Sequence, residues 1–175
     1  MRRTYISTDW HCNHGKILQY ENRPADFTKR IIVNHSKILT QKDILIVLGD
    51  VWFNRISELK EAIAQIDCKK FLIKGNHDHK SVTWYMRNGF DWCGELLVMH
   101  NILFSHKPQQ RLEGTDFNVH GHFHKTSHKI EDYEWYDKEY HRGLSIEYAE
   151  YKPILLEKFL FGDVKNEQLW RRYFK

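Results

Sequence analysis

Five stretches of the chain share one design: an apolar run that ends in polar residues able to hold a cation. They are Thr4 to His11 (TYISTDWH), Asp43 to Asp50 (DILIVLGD), Lys70 to Asp78 (KFLIKGNHD), Ile102 to His106 (ILFSH) and Phe117 to His124 (FNVHGHFH). Short apolar runs of this length, bounded by turn-forming residues, predict strands. Helical patterns fall between the first three. Asp26 is placed to cap a segment reaching about Leu39, and Ile56 to Ile66 (ISELKEAIAQI) carries apolar residues at helical spacing. Alternating β and α segments predict an α/β layered fold, in which loops at the carboxyl ends of the strands gather the functional groups.

Beyond His124 the pattern changes. Residues 125–142 are polar and aromatic and read as a hairpin or an insertion; Gly143 to Tyr148 (GLSIEY) reads as a strand, Lys152-Pro153 as a turn, Ile154 to Leu160 as a short helix, and 163–175 as helical. No repeat, low-complexity segment or Gly/Ser linker divides the chain, which predicts one domain over residues 1–175.

Composition narrows the classes. A chain of 175 residues hides roughly two-thirds of its unfolded surface, and 41% hydrophobic with 29% charged residues is an ordinary globular balance that does not indicate disorder. Cys12, Cys68 and Cys93 are odd in number and form no CxxC pair, against a disulfide framework or a thiolate zinc site. A reducing cytoplasm is expected. Ser7, Thr8 and Asp9 break the first apolar run, so no leader is expected, and with no run of about 18 apolar residues no membrane partner is expected. The net charge of +4 suits an anionic partner, yet only Arg2-Arg3, Lys69-Lys70 and Arg171-Arg172 adjoin. An extended basic groove for nucleic acid is not indicated.

The strand ends carry the chemistry. Asp9 and His11 sit two apart, on one face of an extended chain, and can chelate one ion. Gly49-Asp50 places a two-oxygen carboxylate on a tight loop, where it can touch two ions. Gly75-Asn76-His77-Asp78 offers an amide oxygen, an imidazole and a carboxylate; Ser105-His106 and Gly121-His122-Phe123-His124 add three imidazoles. Each motif alone is more often a turn or a cap. Their order along the chain, each closing a strand-like run, is what argues for a site.

This series, from Asp9 to His124, resembles the calcineurin-like metallophosphoesterases, and His11 to Pro24 with Gly143 to Ile154 is similar to a small bacterial and phage-type branch. The resemblance implies a four-layer fold, a β-sandwich of two mixed sheets flanked by helices, with a dinuclear metal site at the strand-end loops. It implies one ion on Asp9, His11, Asp50 and His124, and a second on Asp50, Asn76, His106 and His122, with Asp50 between them. Two divalent ions bring more charge than two carboxylates return, so such a site attracts phosphate, and a metal-bridging hydroxide would attack it. Manganese is expected from the family; imidazole, carboxylate and amide donors also suit iron, zinc or nickel. The resemblance assigns His77 to catalysis facing the substrate, as a cation oriented by Asp78.

Other positions are open to two readings. His14, Arg23, Arg55 and Lys107 are candidate substrate contacts or plain surface groups; the spacing GDVWFNR departs from relatives and weakens Asn54 and Arg55. Trp10, Trp52 and Phe53 interleave with the ligands, as core or as a base-stacking platform. His120 reads as a support for the ligands or a buried hydrogen-bonded ring, His128 as surface, and Ser105 as structural, without a GxSxG elbow. His79, His100 and His141 carry no assignment.

The expected activity is hydrolysis of a phosphate ester, with a phosphodiester such as a nucleotide or a nucleic-acid end favoured over phosphoprotein. The other reading is a protein-binding scaffold on the same fold, which tends to lose the catalytic histidine that His77 supplies here. Aromatic residues at 14% leave room for an oligomer contact.

Overall fold

A computed structural model of the chain describes residues 2–125 and 127–162. Its strands are β1 (Thr4–Ser7), β2 (Ile44–Val47), β3 (Lys69–Ile73), β4 (Trp92–Gly94), β5 (Leu96–Met99), β6 (Ile102–Ser105), β7 (Phe117–His120), β8 (His141–Gly143) and β9 (Ile154–Leu155). The helices are α1 (Ile17–Tyr20), α2 (Phe27–Ile38), α3 (Leu59–Ala64), α4 (Val82–Arg87) and α5 (Leu156–Phe161). Two mixed sheets result, in the orders β4-β3-β2-β1-β9 and β5-β6-β7-β8. In the first, β1 to β4 run parallel and β9 is antiparallel to β1. In the second, β6 to β8 run parallel and β5 is antiparallel to β6.

The apolar runs are continuous because the strands are covered on both faces. Along β2 and the residue after it, Ile44, Ile46 and Leu48 face a core shared with Ile102, Phe104 and Val119 of the second sheet. Leu45 and Val47 face the other way, into a core with Phe27, Ile31 and Ile32 of α2 and Leu59, Ala62 and Ile63 of α3. The β period of two thus sorts one strand between the sandwich interior and the helical layer.

Several segments differ from the sequence reading. Asp26 precedes α2 without a side-chain cap and pairs with Arg30 at 2.8 Å, one turn on. The segment from Ile56 begins as a 3-10 turn before α3. Of GLSIEY only Gly143 is in a strand, and the rest is a turn closed by Tyr151 N–H to Ile146 O at 3.0 Å. Its alternation is lost because Glu147 is drawn inward by ion pairs. Ile154 to Leu160 divides into β9 and α5, since Ile154 and Leu155 pair with β1. Residues 127–140 belong to a crossover between the parallel strands β7 and β8, with a 3-10 turn at Ser127–Asp132. Strands β4 and β5 and helices α1 and α4 carried too little pattern to predict; α4 is capped by Ser81 Oγ, which accepts from Trp84 N–H at 3.2 Å. The expected C-terminal helix lies outside the described residues. No helix among the described residues is long and apolar enough to cross a membrane.

Candidate metal centre

Loops leaving β1, β2, β3, β6 and β7 meet at one end of the sandwich. The first two are stitched together: Asp9 N–H donates to Gly49 O at 3.0 Å, His11 N–H to Asp50 O at 2.8 Å and Cys12 N–H to Val51 O at 3.1 Å. Asp9, His11, Asp50 and His122 all adopt positive φ, between 46° and 69°. L-residues held there are strained, and such strain concentrates at functional sites. Close approach is also built in. A Cβ on Gly75 would run into the Asp50 carboxylate, and one on Gly121 into Thr8 Oγ1 and Asp9 Oδ2.

The structure brings all seven expected ligand residues into one cluster. Asp9 Oδ1 lies 3.8 Å from His11 Nε2 and 3.7 Å from His124 Nε2. Asp50 Oδ2 lies 3.6 Å from His11 Nε2 and 3.5 Å from His106 Nε2. His106 Nε2 is in turn 2.9 Å from Asn76 Oδ1 and 3.2 Å from His122 Nδ1. Asp50 therefore stands between a group made of Asp9, His11 and His124 and another made of Asn76, His106 and His122.

These donors fit divalent cations. Asp9 Oδ1 and both ring nitrogens of His11 are buried without a hydrogen-bond partner. Buried polar atoms are seldom left so unless something else binds them. The remaining atoms are engaged in the way that orients ligands. His106 Nδ1 is 2.7 Å from Leu48 O, and His124 Nδ1 is 3.3 Å from Glu147 Oε1, which turns both Nε2 atoms inward. Asp9 Oδ2 accepts from Thr8 Oγ1 at 2.5 Å and from His122 N–H at 2.9 Å. Burial pushes the Asp50 carboxyl up to about 7, with His106 opposing. Burial acts upward on Asp9 too, but the His11 contact and the charges of His124 and His106 hold it below the usual carboxylate range.

His77 is exposed beside the cluster, its ring 5.7 Å from that of His11 and 4.8 Å from that of Phe53. Its N–H donates to Asp50 Oδ1 at 2.8 Å, so the loop that carries it is tied to the centre. Asp78 is not its orienting partner. The Asp78 carboxylate accepts from the N–H groups of Asp50, Val51 and Gly75 at 2.7, 3.1 and 2.8 Å, clamping two ligand loops together. Burial, with the neighbouring His79 and His106, lowers the His77 pKa, and Asp78 only partly offsets this. The expectation of a carboxylate-stabilised cation is corrected accordingly.

The four candidate substrate contacts separate. His14 stacks on Phe53 at 3.9 Å, beside His11. Lys107 is exposed next to His106. Arg55 is exposed and pairs with Glu58 at 3.5 Å. Arg23, expected as a substrate contact or a surface charge, is buried: it donates to Asp9 O at 2.8 Å, Trp10 O at 2.7 Å and Glu147 Oε1 at 2.5 Å. Its donors are spent inside the protein, which removes it from the anion contacts. Glu147 was missed in the sequence, where GLSIEY reads as a strand and a lone carboxylate in it carries no sign of a distant partner. Trp10 is core, its Nε1–H donating to Ser7 Oγ at 2.7 Å, and Trp52 is buried too. Phe53 alone of the three aromatic residues borders the cluster, between His11, His14 and His77. His120 is a buried hydrogen-bonded ring, 2.8 Å from Gly121 O and 3.0 Å from Tyr136 Oη. The side chain of His128 lies outside the described residues.

Comparison with known proteins bears on this arrangement. A model of the family described as calcineurin-like phosphoesterase matches residues 2–169. The uncharacterized protein MJ1445 of Methanocaldococcus jannaschii is 28% identical over 166 residues, spanning 90% of this chain and 89% of that protein. The crystal structure of AQ665, a protein of unknown function from Aquifex aeolicus, superposes with a TM-score of 0.70 at 24% identity, over 88% of this chain and 95% of that one. The Pseudomonas putida nuclease MPE superposes with a TM-score of 0.53 at 22% identity, over 70% of this chain and 62% of that one. At these identities the two structures speak to fold alone.

Proposed function

The chain belongs to the calcineurin-like phosphoesterase family, and we propose that it is a metal-dependent phosphodiesterase that uses a pair of divalent cations. Asp9, His11 and His124 would hold one ion and Asn76, His106 and His122 the other, with Asp50 shared. The reading rests above all on the buried, unpartnered atoms of Asp9 and His11, which face Asp50 and His124. When bound, the ions supply Lewis-acid polarisation of phosphoryl oxygens and a water acidified toward neutral pH. Manganese is the proposed metal, as the family resemblance implies; imidazoles, carboxylates and an amide without thiolate suit iron, zinc or nickel as well.

The chain's own residues position and screen the ester. His77, exposed at the mouth and anchored through its N–H to Asp50 Oδ1, offers a ring N–H to a phosphoryl or leaving oxygen. Asp78 keeps the Asp50 and Gly75 loops in register, which fixes where His77 stands. Phe53 and His14 line the approach and limit water there.

Elemental analysis of protein loaded with manganese, paired with hydrolysis of bis-p-nitrophenyl phosphate before and after chelation, tests this. Two ions per chain and chelation-sensitive turnover are expected. Folded, metal-replete protein inert toward this diester across several metals would favour the scaffold reading.

A further inference from the structure

Two cavities adjoin the centre, and their linings differ in charge. The larger, of about 650 Å³, lies between α2 and α3. Leu18, Phe27, Ile32 and Trp52 give it an apolar floor, and His14 is its end nearest the centre. The His14 ring lies 3.9 Å from Phe53 and 5.7 Å from His11, and Phe53 lies 4.8 Å from His77. An aromatic wall therefore runs from His77 into this cavity. Of its three carboxylates, Asp26 is paired with Arg30 and Glu58 with Arg55, while Glu61 adds a negative charge. Lys29 is the one cation among its described lining residues. Such a lining takes an uncharged planar group and gives a further phosphate little to hold.

The smaller cavity, of about 340 Å³, has the opposite character. Asn76 and His106 form one wall, and Lys74, Lys107 and Gln109 contribute to the rest. Glu95 is its one carboxylate among the described lining residues; it stands 3.9 Å from Lys74 Nζ with its side chain 79% exposed, a long and solvent-screened pair. Lys107 is exposed. An anion one unit removed from the reacting phosphate finds two ammonium groups here.

Resting on the phosphodiesterase reading above, we infer that the substrate is the terminal phosphodiester of a nucleic-acid strand. Its end nucleoside lies along Phe53 and His14 into the larger cavity, and the next phosphate along the strand is held at Lys74 and Lys107. Stacking on such a wall accepts any base, because every base has a flat face. In the reaction, water adds to phosphorus, the bond from phosphorus to the departing nucleoside oxygen breaks, and that oxygen leaves with a proton.

Thymidine dinucleotides test the inference. TpT carries the scissile phosphate alone, while pTpT and TpTp add a second phosphate at one end or the other. We expect one of the two extended forms to surpass TpT in kcat/KM by on the order of tenfold, and Lys74→Glu with Lys107→Glu to bring that ratio close to one. Gln65→Trp, which fills the larger cavity from an exposed position, should lower kcat/KM for the dinucleotides relative to bis-p-nitrophenyl phosphate. Calorimetric binding of the same dinucleotides in EDTA should show the same preference and its loss in the lysine variant. A wild-type ratio near one, or a ratio and binding preference untouched by the lysine variant, overturns the inference. Absent hydrolysis of bis-p-nitrophenyl phosphate with the binding preference intact would instead overturn the phosphodiesterase reading and leave the subsite standing.

Discussion

Arg23 and Glu147 are 124 positions apart in the chain and 2.5 Å apart in space, and both side chains are buried. The pair joins two halves of the centre. Arg23 donates to the backbone carbonyls of Asp9 and Trp10, while Glu147 faces His124 Nδ1 and accepts from Ser145 Oγ at 2.6 Å. Burial acts upward on Glu147, but His124, Arg23 and Ser145 hold its pKa down at about 2.

Glu147→Leu is expected to destabilise the fold by roughly 3–5 kcal/mol, because it leaves a buried guanidinium unpaired. Glu147→Gln should keep the fold better and weaken metal binding by about 10–100-fold, through His124. Denaturant unfolding and metal titration measure the two effects. If Arg23→Met with Glu147→Leu is no more stable than Glu147→Leu alone, the unpaired-charge account is wrong.

His77→Ala should retain both ions and lose on the order of a hundredfold in kcat. Metal content and steady-state kinetics on one preparation suffice. Unaltered kcat would remove His77 from the chemistry.

Gly75→Ala drives a methyl group into the Asp50 carboxylate. The expected cost is about 1–3 kcal/mol of stability, with a fall in metal content because Asp50 must move. Wild-type values for both would mean that the loops adjust freely.

Manganese binding should stabilise the fold by mass action. At a hundred times the Kd, one site adds about 2.7 kcal/mol, read as a rise in Tm that EDTA reverses. A Tm indifferent to metal and to EDTA would contradict the proposed centre.

Stability should fall on acidification through a buried histidine that is not among the proposed ligands. His35 is fully buried, with Nδ1 2.7 Å from Ile31 O and its ring against Trp10; burial lowers its pKa from 6.5 to about 4, and the Ile31 carbonyl only partly opposes this. Between those values the unfolded chain binds a proton that the folded chain refuses. Stability is therefore complete above about pH 6.5 and is lost toward pH 4, by roughly 3 kcal/mol for this residue. His120, whose pKa burial also lowers to about 4, contributes in the same window. His35→Leu should flatten the pH dependence of denaturant unfolding without abolishing it, and an unchanged slope would rule His35 out as its source.

The strand ends were legible because their signal is local: an apolar run marks a strand, and the polar residues that close it emerge where parallel strands finish. Asp9, Asp50, His106 and His122 stood out from the order of these endings along the chain, while the roles proposed for them came from the family resemblance. Arg23 and Glu147 were not legible, since a charge separated from its partner by most of the chain looks like a surface charge. Asp78 misled for a related reason. Its neighbour in sequence is His77, but its partners are backbone N–H groups of another loop, and no side-chain pattern records backbone donors. The strand expected over GLSIEY gives way to a turn because alternation describes a strand only while no inward carboxylate competes with pairing.

Asp9, His11, Asp50 and His122 hold left-handed backbone conformations that the surrounding hydrogen bonds keep from relaxing. On the proposed dinuclear reading, folding would arrange the donors before an ion arrives and would leave the loops little room to expand or contract. Discrimination among metals would then follow ionic radius as much as chemical affinity, with an ion too large for the gap between the paired loops refused even when its preference for nitrogen and oxygen is right.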